Sequence, residues 1–543
     1  MVLILLAILI AVLAILVAVS RLVPRIVVAA VSVGISASVV VLAVVVLAAG
    51  SAMTTLELPI GAAGTAMHLA LDPLAASFLL ALFLVIPCAN RAPLPLAALA
   101  LTVLAGDGFT LGVGLLVLGG ITLLRPAAFA VVGLTVALAL AGSPADFATI
   151  RAAPPEGWHA AAVLLLVLAG AGMVSRLSTT IAVYLVLRVL FDLCGVGQPL
   201  WWGAPLLLAG IGIAAIGSLR AALADTLHKV LSVGSLHQFG MATMALGVAL
   251  FARAVDLPSV ASRALAAAWL ALVCHMLCRT LLLMCADAVE SGAGTRRLDL
   301  MGGLLHRMPI IACCCLVGLF TVAVLPPGLG FAAFWLLFQS LIVAARIGDF
   351  GVQLLVLVVA ALTALSVGLM ALATVRLFGV VFIGRPRTPR TAVAEEAPRR
   401  VRLVLIGLAA SLGLLGLLPA LVLLPTLGWT HAPSDRWLAL STGAEAAGYS
   451  PIAVAALLAL VAIAVLRLLG RSGEQRREPA WSGGFAAPPP WLPFGDPATQ
   501  AGPASFAGPL RGVPALLPSI AATRSHLVRW RDAVVRVATA LVA

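Results

Sequence analysis

The amino-acid sequence predicts an all-α polytopic membrane protein with about fourteen transmembrane helices, some of them discontinuous. Composition is the first reason: 63% of the 543 residues are hydrophobic and 10% are charged, whereas about a quarter of the residues in a soluble domain are charged. The second reason is that the apolar residues form runs approaching the roughly 20 residues that a helix needs to cross a bilayer. These observations exclude a soluble enzyme.

The charged residues are unevenly divided, with 33 basic and 20 acidic residues and a net charge of +13. Basic residues collect in the cytoplasmic loops of inner-membrane proteins, so this excess requires no nucleic acid and predicts a bacterial inner-membrane location. Lys229 is the only lysine, which fits either a codon bias towards arginine or a loss of titratable lysines. The eight cysteines lack the spacing of disulfides or metal sites.

The chain begins with an apolar hairpin, predicted over residues 1–64. Met1–Ser20 has neither the basic start nor the small-residue cleavage site of a signal peptide, so we interpret it as the first transmembrane helix. Arg21 and Arg25 follow in a short turn, which the distribution of basic residues assigns to the cytoplasmic side. Ile26–Ala49 is the second predicted span.

Residues 65–425 are predicted to form the transmembrane core. Its shorter runs need tilt or partial burial, and the long run Ala160–Cys194 needs a break near Gly170. The other predicted spans of the core are Leu69–Cys88, Leu94–Leu104, Phe109–Leu124, Pro126–Ala141, Trp201–Leu219, Val230–Phe251, Ser262–Met284, Pro309–Leu325, Phe331–Ala345, Val352–Gly384 and Leu403–Leu424.

Residues 426–470 contain the last strongly apolar segment, Ile452–Leu469. Beyond it the composition changes to Pro, Gly, Arg and Trp, which predicts a peripheral tail over residues 471–543. From Pro514 to Val542, arginines alternate with apolar residues at helical spacing. This pattern predicts an amphipathic helix that lies on the membrane or against a neighbouring subunit.

The stretch Trp269–Leu341 carries the strongest functional signal. Its first apolar run places His275 and Arg279 near the middle of a predicted span, where a cation normally faces protein or a water-lined path. Its second run breaks at Leu325–Gly330, and such a break frees backbone groups that need partners inside the protein. Buried cations and broken helices together are typical of transport proteins.

Several sequence motifs, inside and outside this stretch, indicate the same kind of membrane protein. They are His275 with Arg279, Gly294–Asp299, Gly302–Leu304, Met308–Pro309, Leu325–Phe331 with Trp335, Leu71–Leu74, Asp225–Gly240, Arg376–Arg387, Trp481–Gly484 and Ser505–Leu510. Together they resemble the proton-channel-type membrane subunits shared by respiratory complex I, Mrp antiporters and group 4 hydrogenases, above all the hydrogenase-4 component B branch. The resemblance implies an antiporter-like fold and a membrane-arm subunit that translocates protons coupled to redox chemistry elsewhere in its complex.

By this resemblance, the candidate proton-path residues are buried charged or titratable side chains: His275, Arg279, Arg376, His237, His228 and Asp107. Histidine titrates near neutral pH, whereas arginine stays protonated at any accessible pH. Structural roles remain as alternatives, with His275 as an interhelical hydrogen-bonding residue, Asp107 as an interfacial cap and His228 as a basic connector residue. Arg188 and Asp192, four residues apart, are expected to form a local structural pair.

The chain departs from the family pattern at several positions. Leu116, Thr180 and Phe334 stand where the pattern has charged residues, and a segment after Gly172 is shortened. The two remaining axial cations are both arginines, which cannot release a proton as a desolvated lysine can. Two hypotheses follow: a working proton path through the histidines and Asp107, or a degenerate subunit that serves mainly as a scaffold.

No nucleotide, flavin, haem, iron–sulfur or nickel motif is found in the sequence, so we expect no cofactor, no metal and no catalytic chemistry in this chain. The expected partners are other membrane-arm subunits, a peripheral redox module and the lipid bilayer, without nucleic acid. A stand-alone transporter and an Mrp-type antiporter subunit are the alternatives. The missing carboxylates weigh against the first, and the component-B-like tail from Trp481 weighs against the second.

Overall fold

The structure of the chain is a computed structural model that describes residues 2–19, 25–49, 54–62, 65–85, 93–121, 147–152, 178–195, 197–346, 349–426 and 448–470, with 161, 163–165, 167–168, 429 and 440. Helices make up nearly all of the regular structure in these ranges. Seven of the described helices are long and apolar enough to cross a membrane, and shorter apolar helices accompany them. The all-α polytopic fold is therefore confirmed, while the count of about fourteen spans stays a prediction.

The first half of the chain contains shorter helices around one hairpin. Its elements are α1 (Val2–Val19), α2 (Arg25–Ala49), β1 (Thr54–Ala62), β2 (Thr65–Leu71), α3 (Pro73–Val85), α4 (Pro93–Val103), α5 (Gly108–Ile121), α6 (Phe147–Ala152) and α7 (Thr179–Val186). The connector after α2, which the sequence left without regular structure, pairs as an antiparallel hairpin with Glu57 opposite His68. The predicted span Pro126–Ala141 and the predicted break near Gly170 lie outside the described residues.

The second half contains the long helices. They and their short companions are α8 (Gly203–Leu223), α9 (Leu227–Ala254), α10 (Pro258–Ala293), α11 (Pro309–Val322), α12 (Leu329–Ala344), α13 (Phe350–Val381), α14 (Pro389–Ala392), α15 (Arg399–Leu417), α16 (Pro419–Leu423) and α17 (Pro451–Gly470). A π-helical segment, Leu187–Leu193, continues α7 directly. The predicted tail helix from Pro514 to Val542 lies outside the described residues.

Helices α8 and α9 form a tight antiparallel pair. Gly203, Gly210 and Gly217 recur every two turns of α8, and each faces the backbone of α9. A methyl group built on Gly210 would lie 2.5 Å from the Met244 amide nitrogen. Small residues are what allow two membrane helices to approach so closely, so these glycines fix the position of α9.

The helix break predicted at Leu325–Gly330 separates α11 from α12. A cis peptide bond joins Pro326 and Pro327 in this break, and proline cannot continue the backbone hydrogen-bond ladder. The Thr321 carbonyl at the end of α11 accepts a long hydrogen bond, 3.5 Å, from the Gln238 side-chain amide of α9. Protein groups thus face the interrupted backbone, as a break at membrane depth requires.

Candidate functional site

His275 lies near the middle of α10 and is completely buried. At 36 residues, α10 is about 54 Å long at 1.5 Å per residue, well beyond the roughly 30 Å hydrocarbon thickness of a bilayer. A helix that crosses a bilayer with both ends outside has its middle residues in the hydrocarbon layer, so we expect His275 at mid-membrane depth. A titratable side chain at that depth is a candidate functional group by its position alone.

Both ring nitrogens of His275 have partners on other helices. Nδ1 lies 2.7 Å from the Ser235 carbonyl on α9, and Nε2 lies 2.8 Å from the Thr179 hydroxyl on α7. A carbonyl oxygen only accepts, so Nδ1 carries the proton and Nε2 accepts the hydroxyl hydrogen of Thr179. The neutral imidazole therefore has a donor and an acceptor directed towards two different helices.

Arg279 completes this group, which we call the His275 cluster: Thr179, Ser235, His275 and Arg279. Its guanidinium, one turn of α10 beyond His275, donates to the Ser235 hydroxyl at 3.0 Å. Because arginine does not give up its proton, Arg279 supplies a fixed charge and a positioning contact. Ser235 thus connects α9 to α10 twice: its carbonyl contacts His275 and its hydroxyl accepts from Arg279.

Arg376 has different surroundings from the His275 cluster. It is buried on α13, and its two terminal nitrogens make very close contacts with the Ala222 and Ala224 carbonyls at the end of α8. The last carbonyls of a helix lack partners within the helix, and a cation there also complements the helix dipole. Arg376 thus acts as a C-terminal cap of α8.

His237 is completely buried on α9, two residues after Ser235. Neither of its ring nitrogens makes a well-formed hydrogen bond within the part of the chain that the structure describes. The Ala214 backbone approaches the ring without the geometry of a hydrogen bond. His237 therefore shares a helix with the His275 cluster but not its contacts.

His228 lies at the start of α9, at the end of the bundle opposite Arg253. Its Nε2 is 2.8 Å from Asp287 Oδ1, and its Nδ1 is 3.7 Å from Glu290 Oε2. The three side chains come close enough to suggest a metal site, but the carboxylates face two different ring nitrogens and Arg296 occupies Glu290 at 2.5 Å. These residues fit an ion-paired imidazole better than a set of metal ligands.

Asp107 is completely buried before α5, and its carboxylate acts as a cap. Oδ1 accepts from the Thr110 N–H at 2.6 Å. Oδ2 accepts from the Thr110 hydroxyl at 2.9 Å and from the His68 N–H at 2.5 Å. Asp107 thus ties the β2 strand to the start of α5.

Replacing Asp107 with Ala is expected to lower the free energy of unfolding by about 1–3 kcal/mol, because buried donors lose their acceptor. The loss should appear as a lower midpoint in the thermal denaturation of the purified chain. Asp107→Asn, which keeps one acceptor oxygen, should retain part of the stability. Equal stability of the Ala variant and the parent would contradict the capping role.

A buried ionic network joins charged residues from different parts of the chain. Local sequence spacing predicted only one of its pairs. Arg188 in the π-helical segment, 1% exposed, holds Asp72 through a very close NH1 contact and a 3.0 Å bond from NH2, and its NH1 reaches Asp192 at 2.7 Å. Arg151 binds Asp192 at 2.6 Å. We call these four residues the ionic network. It joins the start of α3 and the end of α6 to the π-helical segment that continues α7.

Asp72 is ionised within this network. Its carboxylate is buried, but the Arg188 guanidinium, the Ala75 N–H and Arg151 compensate its charge. The local Arg188–Asp192 pair and the Asp72 motif were both visible in the sequence. The contact between Asp72 and Arg188 could not be predicted, because the two residues are 116 positions apart in the sequence.

Comparison with known proteins shows which family the centre of the chain is similar to. Residues 151–363 match the transmembrane family described as NADH:quinone oxidoreductase/Mrp antiporter. The central part of this chain is therefore similar to the membrane domain of that family. It contains the His275 cluster, His228, His237 and Arg188, whereas Asp72, Asp107 and Arg376 lie outside the matched residues.

Relatives and solved structures agree with this assignment. The chain is 30% identical to hydrogenase-4 component B of Escherichia coli (strain K12), over 48% of its own length and 37% of the relative. Its fold resembles a chain of the membrane-bound sulfane sulfur reductase, an archaeal respiratory membrane complex, with a TM-score of 0.75 and 17% identity over 98% of this chain and 95% of the other. A chain of the Mrp complex from Dietzia sp. DQ12-45-1b gives a TM-score of 0.63 and 18% identity, over 78% and 95%.

The sequence match covers less than half of hydrogenase-4 component B, while the structural similarity extends over almost the whole chain. The antiporter-type fold is therefore preserved across a divergent sequence. Arg279 and Thr180, which the resemblance assigns to lysine positions of the family pattern, belong to the matched part.

Proposed function

We propose that this chain is a membrane-arm subunit of a redox-driven respiratory complex in the bacterial inner membrane, and that His275 is its mid-membrane proton-transfer residue. One observation carries the second part: a buried imidazole at the membrane centre has its N–H directed at one helix and its free nitrogen directed at another. A group that can accept on one side and release on the other is what a proton relay requires.

The step itself follows from these contacts. A proton arriving on the Thr179 side binds Nε2 of His275 and gives an imidazolium with two N–H donors. The Nδ1 proton then passes to a water molecule on the Ser235 side, because the Ser235 carbonyl accepts a hydrogen bond but does not take up the proton, and the neutral ring remains with its hydrogen on Nε2. Exchange of the two tautomers, or rotation of the ring, restores the starting state.

Arg279 and Arg376 act in this proposal as positioning residues. Arg279 holds the Ser235 hydroxyl and fixes α9 against α10 at the level of His275. Arg376 holds the end of α8. Both keep their protons at accessible pH, so the transferred proton passes through histidine.

The assembly part of the proposal rests on similarity and on exposed helices. The relatives include a hydrogenase component, and the similar folds come from a respiratory membrane complex and an Mrp complex. Only 6% of the apolar window of α17 and 28% of that of α13 is buried within this chain. Such faces fit contact with lipid and with neighbouring membrane subunits.

A scaffold without proton transfer is the second candidate function, and a specific observation favours it. Asp107 and Arg376, two of the six candidate path residues, are fully engaged in helix caps. Caps stabilise a fold and do not require titration. The two candidates differ in what they predict for His275.

Replacing His275 with Gln distinguishes the proton-transfer function from the scaffold function. The Gln side chain has a donor and an acceptor for Ser235 and Thr179 but cannot titrate, so proton flux through this chain is expected to fall about a hundredfold. The measurement is redox-driven proton uptake per electron in membrane vesicles that contain the assembled complex. The matched control is His306→Gln, since His306 is exposed in a loop.

An unchanged proton-to-electron ratio in the His275→Gln complex would reject the proton-transfer role and leave the scaffold function. The assembly itself is tested separately by a tagged full-length chain. It should co-purify with other polytopic subunits and a peripheral subunit carrying a redox cofactor. Recovery of the chain alone from mildly solubilised membranes would contradict the membrane-arm assignment.

A further inference from the structure

A cavity of about 900 Å³ lies beside the ionic network and takes no part in the proposed proton transfer. Its walls come from the start of α3, the π-helical segment, and the turn between α9 and α10. Trp429 closes one side. We call it the interfacial cavity.

The cavity lies at the level of the lipid headgroups. At 28 residues, α9 is about 42 Å long, so its last turn extends past the roughly 30 Å hydrocarbon layer. Arg253 is in that last turn, and Pro258 begins α10 just beyond it. Tryptophan, here Trp429, is typical of this depth. The cavity therefore faces the boundary between acyl chains and water.

Most of the charge in the cavity is neutralised internally. In the ionic network, Arg151 and Arg188 are matched by Asp72 and Asp192. Arg253 is different, because no carboxylate lies within 4.0 Å of it in the described part of the chain, and Asp192 attracts it only from a longer distance. Its NH1 donates to the Phe191 carbonyl at 3.0 Å, and its guanidinium covers the Phe191 ring.

Arg253 therefore has donors to spare. A guanidinium carries five N–H groups in a planar fork that matches phosphate oxygens, and only one is accounted for by the Phe191 carbonyl. Ser259, exposed at the mouth of the cavity, adds a hydroxyl. The exposed Asp256 also lines the cavity, three residues from Arg253. The cavity thus offers one cation inside and one anion at its rim.

Part of the cavity lining is apolar. Leu257, Leu265 and Phe191 line it together with Trp429. A purely ionic ligand would leave this wall in contact with water, whereas an acyl chain would cover it at a gain of about 25 cal/mol per Å² of apolar surface. The lining fits an amphiphile better than a free anion.

We propose that the interfacial cavity binds a membrane phospholipid whose headgroup has a phosphate and an ammonium group. Arg253 binds the phosphate, with Ser259 as a further donor. Asp256 faces the ammonium group at the rim. The acyl chains leave along the Leu257, Leu265 and Trp429 wall towards the bilayer. The bound lipid fills the space between the turn after α9 and the ionic network.

The test uses the full-length chain, purified in mild detergent, stripped of lipid and supplied with defined lipids. Native mass spectrometry measures how much phosphatidylethanolamine, phosphatidylglycerol or inorganic phosphate stays bound. Phosphatidylethanolamine should be retained most. Arg253→Gln should weaken this retention about tenfold or more, because a charge-assisted hydrogen bond is lost. Asp256→Asn should remove the preference over phosphatidylglycerol.

Arg346→Gln is the matched control, since Arg346 is exposed at the same end of the bundle but outside the cavity; it should retain lipid like the parent. Ser259→Trp tests the same site without touching Arg253, because an indole at the exposed mouth should block the lipid. If Arg253→Gln folds poorly, lipid retention by the Ser259→Trp variant tests the proposal instead. Unchanged retention in both cavity variants, or inorganic phosphate bound as strongly as the lipid, overturns the proposal.

Discussion

Replacing Gly210 with Leu is expected to separate α8 from α9 and to lower the free energy of unfolding by about 3 kcal/mol or more. Even the first carbon of the new side chain would lie 2.5 Å from the Met244 amide nitrogen and 2.8 Å from the Gly240 carbonyl. Both are backbone atoms of α9, which cannot move aside as a flexible side chain can. The whole helix must shift to make room.

The consequence reaches the proposed proton path, because α9 also carries Ser235. A shift of α9 would lengthen the 2.7 Å contact between the Ser235 carbonyl and His275. The Gly210→Leu chain should therefore lose thermal stability first and, where it still assembles, lose proton transfer as well. Thermal denaturation followed by size-exclusion chromatography measures the first effect.

Gly212→Leu is the matched control. Gly212 is on the same helix, two residues away, and no described atom lies within 4 Å of a methyl group built there. The same side chain at this position should change stability little, since it enters lipid or open space. Equal loss in both variants would show that helix propensity, and not the contact with α9, governs the effect.

This contact illustrates what a single sequence can and cannot predict. The apolar runs predicted the long helices, and the proline-rich break between α11 and α12 was predicted from Leu325–Gly330. Those signals are local. The glycine spacing on α8 is also local, but its meaning depends on which helix lies opposite, and the sequence does not state that.

The candidate site also contains contacts that the sequence predicted and contacts that it did not. His275 and Arg279 are one turn apart on one helix, so their association was predicted from spacing. Thr179 lies 96 residues from His275, and the Ser235 carbonyl lies 40 residues away. Such partners meet only when three helices pack together. Arg376, grouped with His275 by the family resemblance, instead caps α8, because helix ends offer carbonyls to any nearby cation.

Replacing Arg188 with Met is the second large prediction, with an expected loss of about 3–5 kcal/mol in the free energy of unfolding. Arg188 is 1% exposed and supplies two contacts to Asp72, one to Asp192 and one from Nε to the Tyr184 hydroxyl at 3.0 Å. Without it, the Asp72 carboxylate stays buried with little compensation. The melting midpoint of the purified chain measures the loss.

The comparison with Arg151→Met checks that burial causes the effect. Arg151 binds the same network through Asp192, but its side chain is 24% exposed, so solvent screens its ion pair. We expect a loss of about 1 kcal/mol there. A loss as large as that of Arg188→Met would mean that the network depends on charge number and not on the buried pair.

A double variant isolates the pair itself. Asp72→Asn removes the buried charge and keeps an oxygen for the Ala75 N–H, which Asp72 now caps at 2.8 Å. Combined with Arg188→Met, it should recover part of the lost stability, because neither partner then leaves the other buried and charged. If the double variant is less stable than the sum of the two single changes predicts, the pair is not the main contribution. The role of Arg188 would then lie in its contacts with Asp192 and Tyr184, which hold the π-helical segment between the proposed proton path and the interfacial cavity.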